Sequence, residues 1–206
     1  EDGELSFRGD NIMKGYYKNP EANAEVFDGD WFKTGDLGRI DEDGYIHITG
    51  RKKEIYVLSG GKNVAPLVIE ETMKSIPVIS QVFLVGDGRK FCSALVTLDV
   101  GVILRDNLGM NADKVPRDPM EQIEELESRG HKLSDFVESE EVRSDIESQI
   151  SVLNKRFMNP EQIKKFTILP RDLNIDSGEL TPTLKIRRKQ IRENWADEIE
   201  AMYSGA

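Results

Sequence analysis

The chain has a single cysteine, Cys92, and only two histidines among its 206 residues. One cysteine excludes an internal disulfide, and without a Cys-x-x-Cys pair so few sulfur and imidazole ligands leave no credible zinc site. A lone thiol is typical of a reducing compartment, so the cytosolic side of the membrane is the expected location. No apolar run approaches the ~18 residues that a membrane-spanning helix needs.

Basic residues are the minority among the charges. The chain has 28 lysines and arginines against 38 aspartates and glutamates, which gives a net charge of -10. An acidic chain repels a phosphate backbone unless its bases are strongly segregated, and here they are only mildly so. We therefore predict no nucleic-acid partner. The acid-rich stretches 121–127 and 138–141 are interpreted as solvated helix faces or first turns.

The pattern along the chain predicts an α/β (α+β) protein. Residues 1–50 carry short alternating apolar stretches separated by glycine turns, which is typical of small strands. Pro66 begins a predicted helix that Pro77 stops, and residues 81–85 and 91–98 read as two strands of a hairpin. We therefore predict a β-rich fragment followed by one α/β unit over residues 54–206.

Beyond residue 100 the periodicity becomes helical, with one short strand at 166–169. Asp118 and Pro119 begin one helix, and Pro160 limits a second. The predicted apolar faces are Met120, Ile123 and Leu126 in the first helix, Val142, Ile146, Ile150, Leu153 and Phe157 in the second, and Ile191, Trp195, Ile199 and Met202 in a terminal helix.

Asp36 is the first candidate site residue. A carboxylate accepts two hydrogen bonds, which suits the vicinal hydroxyls of a ribose, and Gly35 allows the backbone to approach a ligand closely. Arg51 follows Gly50 at the end of a predicted strand and could share the ribose or an α-phosphate with Asp36. The alternatives are a plain turn at Thr34-Gly35-Asp36 and a surface ion pair at Arg51.

Two glycines and two lysines complete the set of candidates. Gly60 and Gly61 precede Lys62 and Asn63, so the loop is no Walker motif, but it permits close approach of a thin ligand such as a pantetheine arm. A hairpin turn explains it equally well. Lys185 lies in a loop before the terminal helix and could extend its charge into a neighbouring domain. The alternative is a solvent-facing lysine beside Arg187, Arg188 and Lys189.

Taken in order, these residues resemble the adenylate-forming superfamily, specifically the acyl-CoA synthetases of the long-chain fatty acid type. The resemblance extends from residue 1 to Arg192. Its landmarks are Gly3-Glu4-Leu5, Arg8-Gly9, Gly15-Tyr16-Tyr17, Pro20, Phe27, residues 30–36, Asp43-Gly44-Tyr45, Gly50-Arg51, residues 59–64 and residues 66–70. It implies that residues 1–50 are the C-terminal β-barrel part of a large AMP-binding domain, 51–53 a hinge, and 54–206 a mobile C-terminal domain.

The resemblance also implies roles for these residues. Asp36 and Arg51 would bind the ribose of ATP, and Lys53 would be the pivot of the hinge. The 54–63 segment, with Gly60, Gly61 and Lys62, would line the CoA channel, and Lys185 would be the mobile catalytic lysine. Arg89, Lys90 and Arg171 are candidates for the CoA phosphates, with scattered surface bases as the alternative.

The implied reaction joins a fatty acid to CoA at the expense of ATP, through an acyl-adenylate, with release of AMP and pyrophosphate. Mg²⁺ would accompany ATP, held by residues outside this chain, and no metal ligand is assigned here. The family's phosphate loop and acyl pocket precede the β-barrel, so the 206 residues alone are expected to have little or no ligase activity. Peripheral attachment to the inner face of the membrane stays open.

One position departs from the pattern of many relatives. They have a glycine immediately before the catalytic lysine, in a Thr-x-x-Gly-Lys arrangement, whereas this chain has Leu184. Long-chain members commonly share this departure, and with the long helical stretch over residues 100–160 it favours a fatty acyl substrate. The alternatives are an adenylation domain that loads an acid onto a carrier protein, and a non-catalytic docking or regulatory module.

Overall fold

The computed structural model describes residues 3–204. Its N-terminal part is an antiparallel sheet whose central strand, β3, pairs with the other three. The strands are β1 (Glu4–Phe7), β2 (Phe27–Asp28), β3 (Trp31–Ile40) and β4 (Ile46–Arg51). The predicted β-rich character is confirmed. A helix that was not predicted, α1 (Pro20–Val26), precedes β2. It begins here because Asn19 accepts the amide of Ala22 and Pro20 occupies the first turn.

A single 3₁₀ turn, Lys52–Glu54, connects this sheet to the rest of the chain. It is followed by a two-stranded antiparallel ribbon, β5 (Tyr56–Val57) and β6 (Asn63–Val64). The predicted helix then follows as α2 (Pro66–Met73). One short turn is therefore the covalent link between the two parts.

A three-stranded sheet organises residues beyond 78. β7 (Ile79–Val85) and β8 (Cys92–Leu98) form the predicted antiparallel hairpin, and β9 (Ile163–Ile168) pairs parallel to β8. A parallel partner requires a crossover, and the helical stretch between β8 and β9 supplies it. Its helices are α3 (Val100–Val102), continued by a π turn at Ile103–Asn107, then α4 (Pro119–Ser128), α5 (Leu133–Val137) and α6 (Glu140–Asn154).

The sheet has a separate hydrophobic core on each face, because successive side chains of a strand point to opposite sides. Leu84 belongs to a cluster with Met73 and Ile146, which come from α2 and α6. Phe83 belongs to the second cluster, with residues of the C-terminal helices α7 (Arg188–Asn194) and α8 (Ala196–Tyr203). The result is a helix–sheet–helix sandwich.

Three predicted details are wrong. The terminal helix is two helices, because Trp195 leaves helical dihedral angles at φ -116° and its indole N–H reaches Glu179 instead. The second predicted helix ends at Asn154, before Phe157 and Pro160, and the Asn154 amide then pairs with the backbone of Ile163. Met120 does not join an apolar face, since it is 70% exposed.

No helix in residues 3–204 is long and apolar enough to cross a membrane. Cys92 is a free, buried cysteine on β8. Burial raises the pKa of its thiol to about 11, so the thiolate is disfavoured at neutral pH. This cysteine is a packing residue of the core.

Candidate active site

Asp36 and Arg51 lie opposite each other on β3 and β4. The Arg51 Nε donates to Asp36 Oδ1 at 3.0 Å, with the arginine side chain 60% exposed and the aspartate 25% exposed. The two candidates are therefore together, as the predicted ribose or phosphate contact requires. Such a pair at the surface adds little to stability, because solvent screens both charges.

Thr34, Gly35 and Asp36 form a bulge inside β3 rather than a turn of a meander. Gly35 has φ +74°, and its amide donates to Glu4 Oε1 at 3.0 Å. The Thr34 hydroxyl donates to the carbonyl of Leu5 and accepts the amide of Asp36. A bulge re-aims the side chain that follows it, and here that side chain is Asp36. The glycine is needed for the left-handed backbone.

Lys53 lies in the middle of the 3₁₀ turn that links the two sheets. Its ammonium is 3.4 Å from Glu25 Oε1, and both side chains are largely exposed, at 87% and 69%. Its neighbours in the turn are also paired, Lys52 with Glu4 at 2.9 Å and Glu54 with Arg188 at 3.1 Å. A short turn between two folded parts is a place where a few residues can absorb a change of dihedral angles, as a hinge does. The role of Lys53 stays a prediction.

Gly60 and Gly61 form the tip of the β5–β6 hairpin. The amide of Leu58 donates to the carbonyl of Lys62 at 2.9 Å, and the amide of Gly61 donates back to the carbonyl of Leu58 at 2.7 Å. This is a three-residue loop in which the third residue, Gly61, has φ +74°. A Cβ atom at Gly60 would meet nothing within 4 Å, so its surroundings in this chain do not require glycine.

Lys185 follows a hairpin of the same geometry. The amide of Thr181 donates to the carbonyl of Lys185 at 2.8 Å, and the amide of Leu184 donates back to the carbonyl of Thr181 at 2.8 Å. Pro182 occupies the first turn position, for which its ring is preset. Lys185 is exposed and therefore sits beside a short rigid tip in the same position that Lys62 has in the first hairpin.

Leu184 occupies the left-handed position that Gly61 occupies in the first hairpin, with φ +59°. Leucine adopts this conformation at a cost of roughly 1–2 kcal/mol, because its Cβ approaches the neighbouring carbonyl. The side chain is 69% exposed, so packing gives little in return. The glycine that the resemblance implies for many relatives at this position would avoid this cost.

We expect Leu184→Gly to stabilise the chain by up to about 1 kcal/mol, since relief of strain exceeds the extra flexibility of glycine in the unfolded state. Leu184→Ala keeps the strain and should change little, whereas the β-branched Leu184→Val should destabilise. Urea unfolding of the three variants checks the order. A Leu184→Gly variant less stable than Leu184→Val would contradict the assignment of strain.

The base of the Lys185 hairpin is held by Glu179, which is fully buried. Its carboxylate accepts two hydrogen bonds from Arg171, at 2.7 and 2.9 Å, one from Trp195 Nε1 at 2.8 Å and others from Asn174 and Asn194. Burial would raise the pKa of Glu179, but the hydrogen bonds from Arg171, Asn194 and Asn174 outweigh burial and the pKa is lowered. Glu179 is not among the candidates predicted from the sequence.

Arg188 is partly buried, although one alternative for Lys185 places that lysine in solvent beside Arg187, Arg188 and Lys189. Its side chain is 16% exposed and binds both oxygens of Glu70, at 2.7 and 2.8 Å. It also donates to Glu54 at 3.1 Å and to the Tyr56 hydroxyl at 3.2 Å. The only sequence signal for this network was Glu70, an acid between the apolar positions 69 and 73 of α2.

Arg89, Lys90 and Arg171, the bases predicted to bind the CoA phosphates, lie in three different environments. Arg89 pairs with Glu200 through both its terminal nitrogens and stacks on Tyr203 at 4.8 Å. Arg171 belongs to the Glu179 cluster. Lys90 is exposed in the turn after β7. The turn is joined to the first hairpin, since the amide of Ser59 donates to the carbonyl of Arg89 at 2.9 Å.

The candidates therefore form three groups. Asp36 and Arg51 lie at the end of the first sheet, Lys53 in the connecting turn, and the two lysine-bearing hairpins beyond it. In residues 3–204 no hydrogen bond or ion pair joins the side chain of Lys185 to Asp36 or Arg51. The same described part of the chain contains no group of three or more His, Cys, Asp or Glu that could hold a metal ion.

A profile of the family described as AMP-binding enzyme C-terminal domain matches residues 53–135 and residues 126–206. The matches begin in the turn that contains Lys53. The chain belongs to the AMP-binding enzyme C-terminal domain family. Both hairpins of this AMP-binding enzyme chain, with Lys62 and Lys185, lie inside the matched region.

Relatives of this AMP-binding enzyme chain extend the likeness to its first sheet. The chain is 41% identical to the long-chain-fatty-acid–CoA ligase FadD15 of Mycobacterium tuberculosis over 206 residues, which are 99% of this chain and 32% of the relative. It is 37% identical to the ligase ACSBG2 of Gallus gallus, over 99% of this chain and 27% of that one. The chain thus spans less than a third of these relatives. The predicted resemblance is confirmed.

Solved structures confirm the predicted α/β fold class of the AMP-binding enzyme chain. The adenylation domain of carboxylic acid reductase from Segniliparus rugosus, in complex with AMP and a co-purified carboxylic acid, matches with a TM-score of 0.69 and 25% identity, covering 98% of this chain and 28% of that one. O-succinylbenzoate coenzyme A synthetase of Bacillus subtilis, in complex with AMP, has a TM-score of 0.55 at 21% identity, covering 92% and 30%. The second likeness shows the fold alone.

Proposed function

We propose that this chain is the C-terminal part of an ATP-dependent long-chain fatty acid CoA ligase that forms acyl-CoA, AMP and pyrophosphate through an acyl-adenylate. The observation that carries the proposal is the pair of equivalent hairpins, one next to Lys185 and one next to Lys62, beyond a hinge-like turn. The two half-reactions need two different protein surfaces at the same site. The Lys185 hairpin and the Lys62 hairpin are two such surfaces on one domain. The 41% identity to a long-chain ligase supports the substrate class.

Lys185 serves the first half-reaction in this proposal. A fatty acid carboxylate attacks the α-phosphate of ATP, and both groups are negative. The ammonium of Lys185 lies between them, offsets their repulsion and stabilises the charge that develops in the transition state. A rigid three-residue hairpin limits the freedom of this lysine before the substrate arrives.

Asp36 and Arg51 hold the nucleotide in this proposal. Asp36 accepts hydrogen bonds from the vicinal hydroxyls of the ribose. Arg51 uses one nitrogen, Nε, for Asp36, and its other guanidinium donors are available to an α-phosphate oxygen. The bulge at Gly35 gives the carboxylate its direction. The first sheet therefore binds the nucleotide while the part beyond Lys53 moves.

The first hairpin serves the second half-reaction. Rotation about Lys53 withdraws Lys185 and presents Gly60 and Gly61, past which the pantetheine arm of CoA reaches the acyl-adenylate. Gly61 is required by its own backbone, whereas Gly60 has open space around it in this chain. The passage of a thin ligand over position 60 would explain the glycine, because a side chain there would obstruct the ligand. Lys62 and Lys90 supply cations near this path.

Mg²⁺ would neutralise the phosphates of ATP when bound. As the resemblance implies, this proposal assigns the ligands of Mg²⁺ to residues outside this chain. The domain boundaries predicted from the resemblance, 1–50, 51–53 and 54–206, are adopted here as the fixed part, the hinge and the moving part. Attachment to the membrane surface is not needed for any step.

A second candidate is an adenylation domain that transfers its acid to a carrier protein. The likeness to the carboxylic acid reductase domain, with its TM-score of 0.69, favours it. Its identity of 25% is well below the 41% shared with the ligase. The two candidates share the adenylate and differ in the thiol that accepts the acyl group.

We expect the full-length protein that contains this chain to convert a C16 fatty acid, ATP and CoA into acyl-CoA, AMP and pyrophosphate. Chromatography of the reaction mixture measures the acyl-CoA and AMP that are formed. The 206-residue chain alone serves as the control and should yield no acyl-CoA. Adenylate formation without acyl-CoA would favour transfer to a carrier protein. No adenylate with any long-chain acid would overturn the proposal.

A further inference from the structure

Arg188 lies three residues after Lys185 and connects the lysine hairpin to the hinge turn. Its guanidinium binds Glu70 of α2 through two nitrogens and Glu54, the last residue of the turn, through Nε. A small depression between the turn and the hairpin is lined by Lys53, Glu54, Ile186 and Arg188, among other residues. Arg188 therefore links the connecting turn, α2 and the lysine hairpin.

The Glu70 half of the contact is rigid. Glu70 is 3% exposed, and its Oε1 also accepts the amide of Leu84 at 2.9 Å. The Tyr56 hydroxyl donates to the carbonyl of the same Leu84. The two side chains thus bind both backbone polar groups of Leu84 on the edge strand β7, and both also bind Arg188, which fixes its position relative to the sheet. Burial would lower the pKa of Arg188, but the Glu70 and Glu54 carboxylates raise it, so the charge is permanent.

The Glu54 half of the contact is different, since this carboxylate is 42% exposed and carries one hydrogen bond from Arg188. Glu54 follows Lys53 directly, so it belongs to the moving side of the predicted hinge. Arg188 therefore ties the first residue after the pivot to the hairpin that carries Lys185. Rotation at Lys53 then displaces the lysine as part of a rigid body.

We propose that Arg188 is a positioning residue for Lys185: it clamps the hinge-proximal Glu54 and the sheet-bound Glu70 to the lysine hairpin, so that rotation about Lys53 delivers the ammonium to one defined place. This inference rests on the proposed function. It adds that the Lys185 hairpin must be held to Glu54 for adenylation, whereas the role proposed for Lys185 requires only the lysine itself.

The first measurement is independent of activity. In the full-length protein, hydrogen exchange at the amides of Thr181 and Leu184 should accelerate about tenfold or more in Arg188→Met, because the hairpin opens locally when its clamp is removed. Arg192→Met is the matched control, since Arg192 lies one turn later on α7 and stacks on Tyr56 at 5.4 Å. Equal exchange in both variants would overturn the clamp.

The second measurement separates positioning from a purely structural role. Arg188→Met should lower the rate of adenylation about 10- to 100-fold, as a misplaced catalytic group does, while thioester formation from supplied acyl-adenylate changes less than about threefold. Glu54→Gln should show a smaller loss confined to adenylation, with little change in unfolding free energy, because it alters only the half-exposed contact. Arg188→Lys should recover part of the adenylation rate.

Equal losses in both half-reactions, in proportion to lost stability, would show that Arg188 only supports the fold. If the unsubstituted full-length protein forms no adenylate, the proposed function and the catalytic part of this inference fail together. The exchange result would still decide whether Arg188 clamps the hairpin. The two failures are therefore distinguishable.

Discussion

Substituting Lys185 by alanine should lower the adenylation rate of the full-length protein about 10²–10³-fold, because one preorganised cation is lost where negative charge develops. Thioester formation from supplied acyl-adenylate should be largely intact, since the proposal gives Lys185 no part in that step. Pyrophosphate release measures the first half-reaction, and acyl-CoA formation from synthetic acyl-adenylate measures the second.

Lys62→Ala is the matched control for this experiment. Lys62 follows the tip of the first hairpin in the position that Lys185 has in the second, and both side chains are exposed. We expect the reverse pattern, with adenylation intact and a higher KM for CoA in the second half-reaction. An equal loss of rate in both half-reactions of Lys185→Ala would contradict the role proposed for this lysine.

Substituting Glu179 by alanine should destabilise the chain by about 2–3 kcal/mol. Removal of one member of a buried ion pair typically costs about 3–5 kcal/mol, and the loss is smaller here because Arg171 can turn to solvent. Arg171 is already 38% exposed. The indole N–H of Trp195 would nevertheless lose its acceptor while the ring stays buried, at 7% exposure. Urea unfolding followed by tryptophan fluorescence measures the change.

The pH dependence of stability gives an independent check on Glu179. Its pKa in the folded chain is lowered from the ordinary value of 4.5, so its contribution is fully present above that value. The contribution is lost as the pH falls through the lowered folded-state pKa. Glu179→Ala should therefore flatten the acid limb of the stability curve.

The control is Glu193→Ala, which breaks a surface pair with Lys189 at 3.8 Å between side chains that are 55% and 91% exposed. Its effect should be below about 1 kcal/mol. A loss in Glu179→Ala no greater than in this control would contradict the structural role of the buried carboxylate.

The sequence predicted the elements that depend on local pattern. The β7–β8 hairpin was evident from two apolar runs around a Gly-Asp-Gly turn, and α2 from Pro66 with apolar residues at helical spacing. The same local reasoning failed at Trp195. Its apolar spacing continues through the terminal helix, but its indole N–H binds Glu179, which lies 16 residues away in the chain.

The candidate site divides in the same way. Asp36, Arg51, Lys53 and Lys185 were found because short motifs and an ordered resemblance identify them, and the roles of these residues stay predictions. Arg188 has no predicted role, since its partners Glu70 and Glu54 lie 118 and 134 residues earlier. No local pattern marks a contact over that separation.

By itself the sequence determined the α/β class, most strands and helices and the family resemblance, and it supplied the candidates for nucleotide binding and for a catalytic charge. Those features follow from periodicity, turn residues and motif order, all of which act between near neighbours. Only the tertiary structure decided that the two lysines follow equivalent hairpins, that Leu184 is strained, and that Arg188 joins the hinge to the lysine. Each of these depends on a backbone angle or on long-range pairing of buried charges, which the fold alone brings together.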